Sequence, residues 1–148
     1  MAVGTHFLMV GLGGALGAMA RHGLNSLKID GSSVNDQIFR LIGLALPYTT
    51  LAANLLGGLM IGILAGCFAH FSQWSYELRL FLIVGVLGGF TTFSSFSLEN
   101  ILLFEKGAWG SAIFYMVLSV AGSLAATLAG LVLIRWIAGD ASSGLPLS

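Results

Sequence analysis

The residues able to do chemistry in this chain are hydroxyls, one amide and aromatic rings, all set inside apolar segments. The stretch "GGFTTFSSFSLEN", residues 88–100, carries two glycines, five hydroxyls and the rings of Phe93 and Phe96 three apart. Thr50 and Asn54 are four apart, so they share a helix face. Ser111, Tyr115, Ser119, Ser123 and Thr127 recur every four residues and predict a polar stripe along one helix. Polar groups in hydrocarbon are costly and face a partner or a water-filled path. The ordinary alternative for any single serine or threonine is a bond back to a carbonyl one turn earlier. A five-member stripe, an asparagine and a two-ring ladder together point to a lining.

The chemistry of that lining favours an anion. Hydroxyls and amides are donors, and a phenyl ring is positive at its edge. Such groups attract a small hydrated anion and replace its shell, weakly enough to release it. No spanning segment holds a central Asp, Glu or Lys, which a proton-coupled pump or a cation exchanger would use. A hydrolase needs a nucleophile with a partnered base. The histidines, His6, His22 and His70, lie near segment ends, so the nucleophile–base geometry cannot be assembled at depth. Gly88-Gly89, Phe90 and two β-branched threonines make poor helix sequence, which predicts a break. A break at membrane depth is tolerated only where it is buried or lines a cavity. Its freed carbonyls suit a hard cation, and the restarting helix presents amides to an anion.

These groups need a membrane scaffold to hold them. The chain is 57% apolar and 8% charged, against about 25% charged in a soluble domain. Spanning helices need roughly 20 apolar residues. Four segments meet this: Val3 to Ala20, a stretch within Leu41 to Ala69 starting near Pro47, Leu80 to Leu98, and Gly107 to Ile134. The fold class is therefore all-α, one four-helix transmembrane domain over residues 1–137, with a tail, 138–148, expected to be disordered. The connection 25–46 is long, and its second half predicts a short interfacial helix capped by Ser33 or Asn35. "FLMVGLGGALGAMARH" imitates a signal peptide, but no Lys or Arg precedes its apolar run. "GLGGALG" lacks dinucleotide-loop spacing. Gly13 with Gly17, the Gly58, Gly62, Gly66 series, and Gly122, Ala126, Gly130 are spaced by four, as in close helix packing. Cys67, the single cysteine, reads as a small packing residue. Zero net charge gives no basic patch for nucleic acid.

Basic residues give no firm orientation. One side carries Arg79 and Arg135, and the other carries Arg21, Lys28, Arg40 and Lys106. A chain inserting both ways can pair with an inverted copy of itself, as inverted repeats do within one chain.

"GGFTTFSSFSLE" resembles the third-helix signature of the Fluc fluoride channels, the CrcB-like proteins. "GGALGAMAR", "TLAANLLGG" and the Tyr-Ser-Ser ladder extend the likeness over all four helices, about residues 10–135. The resemblance implies a bacterial inner-membrane channel, not an enzyme, that passively exports cytoplasmic fluoride. It implies an antiparallel, dual-topology homodimer with two pathways and a third helix broken at mid-membrane. A central structural sodium ion would be held by the backbone carbonyls of Gly88 and Thr91 from each subunit. The pathway residues would be Phe93, Phe96, Asn54, Thr50, Ser94, Ser95, Tyr115, Ser119 and Ser123. Arg21 would stand near the aqueous vestibule, and Glu99 is the motif acid, with no role derivable from sequence. Ser95 stands where many family members have threonine. The 25–46 loop is longer than is usual and is expected not to touch the pathway. The alternative is a small dual-topology exporter of organic cations, which would need a first-helix carboxylate that the chain lacks.

Overall fold

The computed structural model describes residues 2–29, 31–71 and 74–139. Four helical segments are long and apolar enough to cross a membrane: Val3–Asn25, Tyr48–His70, Tyr76–Glu105 and Trp109–Ile137. The expected tail falls mostly outside the described residues; Ala138 and Gly139 end the last helix in a turn.

Helix α1 spans Ala2–Asn25. A ribbon of two-residue strands, β1 (Lys28–Ile29) and β2 (Ser32–Ser33), follows and is the one departure from an all-helical chain among the described residues. Helix α2, Val34–Ile42, is the short helix foreseen in the long connection. Its cap is Ser33, whose Oγ accepts the Asp36 N–H at 3.1 Å. Gly43, at φ 74°, closes it in the left-handed region that glycine enters without strain. Helix α3, Tyr48–His70, starts directly after Pro47. Pro47 has no side-chain acceptor to cap α3, and Asn35 of α2 takes that role. Its Oδ1 accepts the Thr49 N–H at 3.1 Å, and its amide donates to Thr49 Oγ1 at 3.4 Å.

The third span starts four residues earlier and ends seven later than the uncharged run suggests. Helix α4, Tyr76–Arg79, is capped by Ser75 Oγ, which accepts the Leu78 N–H at 3.2 Å. It continues as a π-helical segment, Leu80–Leu87, and then as α5, Gly88–Phe90. Thr91 and Thr92 are extended, with ψ 156° and 120°, and α6 runs Phe93–Glu105. Charged residues at the ends, Glu77, Arg79 and Glu105, remain helical because span ends reach the polar interface. Helix α7 spans Trp109–Ile137.

Packing is pairwise. Helix α3 lies along α7, and α1 lies along the π-helical segment and α5. Both contacts depend on missing side chains. A Cβ on Gly62 would fall onto the Thr127 carbonyl, and one on Gly17 would fall onto that of Val86. These are backbone obstacles that no rotamer change relieves, so small residues set the helix separation. The buried apolar cluster joins Leu46 and Leu51 to Phe96, Leu103, Ala112 and Tyr115. Elsewhere large apolar side chains face outward, Phe7, Leu124 and Trp136 among them. Hydrocarbon is the surrounding that tolerates this along whole spans.

Gly62→Ala is expected to destabilise the folded protein in detergent by about 1–3 kcal/mol, because the methyl overpacks a backbone contact. Gly110→Ala, where a Cβ meets nothing within 4 Å, should leave stability unchanged or slightly raised. Thermal unfolding of both variants followed by circular dichroism makes the comparison.

Candidate functional site

The site is built around the two extended threonines. In an uninterrupted helix the Thr92 N–H would bond the Gly88 carbonyl. Here it goes to Asn54 Oδ1 at 2.8 Å, and Asn54 Nδ2 donates to the Thr92 carbonyl at 3.1 Å. One side-chain amide thus serves both polar groups of one residue, across 38 positions of sequence. The Ser95 N–H, which would bond the Thr91 carbonyl, goes instead to Thr92 Oγ1 at 3.2 Å, the N-cap bond of α6. The carbonyls of Gly88 and Thr91 therefore both lose their usual helical donors. A third carbonyl, that of Gly89, accepts from Arg21 Nε at 3.3 Å. Arg21 Nη1 also donates to Ser95 Oγ at 3.2 Å. A half-buried guanidinium of α1 is thereby fastened across the interruption.

A cavity of about 390 Å³ opens beside the interruption, lined by Asn54, Thr91, Thr92, Phe93, Phe96, Ser119, Ser123 and Thr127, with Gly58 and apolar residues. The Phe93 and Phe96 ring centroids are 5.4 Å apart and tilted by 45°. Phe96 in turn lies 5.4 Å from the Tyr115 ring. Ser119, 4% exposed, and Ser123 have hydroxyls with no hydrogen-bond partner in the protein. A buried hydroxyl without a partner is a costly vacancy unless something else accepts its proton. The Thr127 hydroxyl is spent locally, on the Ser123 carbonyl at 2.9 Å. Ser97 and Thr91 likewise bond back, to the Phe93 and Leu87 carbonyls.

Glu99 receives two hydroxyls from two other helices. Thr50 Oγ1 donates to its Oε1 at 2.7 Å, and Tyr115 donates to its Oε2 at 2.7 Å. Both carboxylate oxygens thus hold short, charge-assisted bonds. Sequence alone gives this acid no role, since its partners are 49 and 16 positions away.

The structure brings together Asn54, Phe93, Phe96, Ser119 and Ser123 in one cavity wall. It places Thr50 and Tyr115 behind that wall, both buried and turned to Glu99. Ser94 Oγ lies 3.2 Å from Thr92 Oγ1, and Ser95 lies under Arg21. Gly88 is exposed, whereas Thr91 is half-buried. Three residues of weight escape the sequence reading. Thr92 is both cap and bridge, and a hydroxyl three residues before Ser95 was its available signal. Asn35 caps α3, but nothing local announces it. Asn100, 3% exposed, donates to the Phe96 carbonyl at 3.0 Å and so secures the turn that carries that ring.

Residues 8–131 match the family model described as CrcB-like protein, Camphor Resistance. The chain is 47% identical over 131 residues to the fluoride-specific ion channel of Rhodopseudomonas palustris, covering 88% of this chain and 98% of that one. It is 48% identical over 129 residues to the channel so described from Phenylobacterium zucineum, covering 86% and 94% of the two chains. The counterpart from Agrobacterium fabrum is 45% identical over 127 residues, again covering 86% and 94%. Matches of this extent reach all four spans and include the interruption, the cavity and Glu99. The chain belongs to the CrcB-like family of multi-pass bacterial membrane proteins.

Proposed function

We propose that this protein is a fluoride-selective channel through which cytoplasmic fluoride leaks passively out of the cell. The observation that carries this is the pair of buried, unpartnered hydroxyls of Ser119 and Ser123, two residues that line a cavity walled by two phenyl rings. Hydroxyl protons and ring edges offer partial positive charge without a full cation. Asn54 adds a donor, because its amide nitrogen carries two hydrogens and Thr92 uses one. A small, strongly hydrated anion gains most from replacing water with such fixed dipoles, and is not trapped by them. Hydrogen fluoride crosses bilayers uncharged and ionises inside, so an exit for the anion protects the cell. The names of the relatives agree, each being a fluoride-specific ion channel.

The finer reading has two copies of the chain, antiparallel, with two pathways and a sodium ion between them. Phe93 is 75% exposed although it lines the cavity, so a second copy laid against it would complete the wall. The interruption at Thr91–Thr92 would then lie at mid-membrane, facing its own inverted copy. Among the described residues no group of three His, Cys, Asp or Glu side chains could hold a metal. A hard cation can use neutral oxygens instead, backbone carbonyls among them. The carbonyls of Gly88 and Thr91 fit that need, because their helical donors are diverted to Asn54 and Thr92. Two oxygens are few for a hard cation, and an antiparallel partner doubles them. When bound, the ion supplies positive charge and cross-links the two interruptions.

Purified protein in liposomes should release fluoride when the gradient is shunted electrically, read with a fluoride electrode, while chloride barely passes. Equal chloride flux would defeat the selectivity. Phe93→Ile keeps bulk and removes the ring edge, and flux should fall roughly threefold to tenfold, given about 0.5–1.5 kcal/mol for such ring contacts. Phe93 is exposed, so the variant should fold, and size-exclusion chromatography checks that it does. Asn54→Asp keeps an acceptor for Thr92 but removes the free donor and adds negative charge. Fluoride flux should cease in that variant, and normal conduction would move the pathway away from Asn54.

A further inference from the structure

A second cavity, of about 370 Å³, has Glu99 in its wall, as the first does not. It lies between α2, which contributes Asn35, Asp36 and Phe39, and α6, which contributes Glu99, with Lys106 just past the end of α6. Ala45, in the connection from α2 to α3, completes one side. The long connection thus walls a cavity that holds Glu99, while none of its residues lines the first cavity. Asn35 holds α2 to Thr49 through two hydrogen bonds, and the next residue, Thr50, bonds Glu99. Glu99 also bonds Tyr115, whose ring touches Phe96 of the first cavity. Side-chain contacts run from one cavity to the other without interruption.

Charge separates the two cavities in kind. The first has no ionisable residue in its wall, and the second has three. Asp36 and Lys106 are exposed, so both are hydrated. Ser33 Oγ donates to Asp36 at 2.7 Å, which holds that carboxylate at the start of α2. Glu99 is masked by its two hydroxyl donors. Among the described lining residues, the exposed charges are then one cation, Lys106, and one anion, Asp36.

We propose that this second cavity is the aqueous mouth at one end of the anion path, that α2 is its wall, and that Lys106 and Asp36 set the anion's entry with opposite signs. The proposal rests on the channel reading above. Lys106 raises the local concentration of anions and Asp36 lowers it, as charges at a low-dielectric opening do. Asn35 is a latch, since its side chain ties α2 to the start of α3 through two hydrogen bonds.

Two measurements on the full-length protein in liposomes test it. At low ionic strength, Lys106→Gln should slow fluoride efflux about twofold to threefold and Asp36→Asn should speed it by a similar factor, with both effects fading in high salt. Lys106→Arg should restore the rate. Effects of equal sign, or effects indifferent to salt, would overturn the electrostatic role. The second arm places a thiol at the opening by Ala45→Cys, in a Cys67→Ala background. An anionic thiosulfonate reagent should label it and cut efflux at least about tenfold, with labelling followed by mass spectrometry. Complete labelling that leaves efflux at the unlabelled rate would overturn the mouth and leave the channel reading intact. Failure of unmodified, wild-type protein to carry fluoride at all would overturn both.

Discussion

The amide of Asn54 stands in for the backbone partners that Thr92 would have in an unbroken helix. Extended geometry at Thr91 and Thr92 removes donors from a helix inside an apolar span, and each buried group left bare would cost about 1–3 kcal/mol. Asn54 takes up both groups of Thr92 at once, at 2.8 and 3.1 Å. The Thr92 hydroxyl then caps the restarting helix, and Arg21 takes the Gly89 carbonyl. With these bonds in place the interruption is a defined structure, and two carbonyls and a cavity are left over for other partners. Every group later assigned to the pathway is positioned relative to this joint.

The joint requires close backbones, which explains where the glycines lie. Gly17, Gly85 and Gly89 let α1 approach the segment leading into the interruption, so that Arg21 reaches it. Gly57 leaves room for the Thr91 methyl. On the other side, Gly58, Gly62 and Gly130 bring α3 against α7, which sets Asn54 and the serines of α7 around one space. The π-helical winding over Leu80–Leu87 leads directly into α5 and the interruption, and such winding, rare in proteins, is found frequently at functional sites.

Much of this is legible in the sequence, for reasons that differ by level. The spans follow from hydropathy, because hydrocarbon thickness sets their length. The third span extends beyond its uncharged run, since Glu77 and Glu105 sit at ends where charge is tolerated. The stripe on α7 is readable because helix period fixes which residues share a face. Its division is not: Ser119 and Ser123 are unpartnered, Thr127 bonds its own backbone, and Tyr115 turns to Glu99. Spacing names a face, whereas tertiary contact decides what each hydroxyl does there. For the same reason the role of Glu99 and the capping by Asn35 were illegible, since both depend on partners from other elements. The packing of α2 against the start of α3 is likewise not readable from loop length, because Asn35 reaches Thr49 across 14 positions of sequence.

The remaining question is how a path for an anion can pass a carboxylate. A bare Glu99 would repel fluoride by several kcal/mol at close range in a poorly screened site. Its two oxygens are instead each bonded by a hydroxyl at 2.7 Å, which draws negative charge toward Thr50 and Tyr115 and away from the cavity face. The same bonds orient the donors. Tyr115 is held with its ring against Phe96, and Phe96 presents its ring to Phe93. The acid thus acts as an anchor for aromatic geometry, with its charge spent on the groups that it fixes. A neutral residue of the same shape would repel less but would anchor the tyrosine less firmly, since hydrogen bonds to a charged acceptor are roughly twice as strong as neutral ones. Placing the charge behind the rings of the first cavity, bonded on both oxygens, gives that lining rigidity while leaving its face made of dipoles; of the two cavities, Glu99 itself borders only the second.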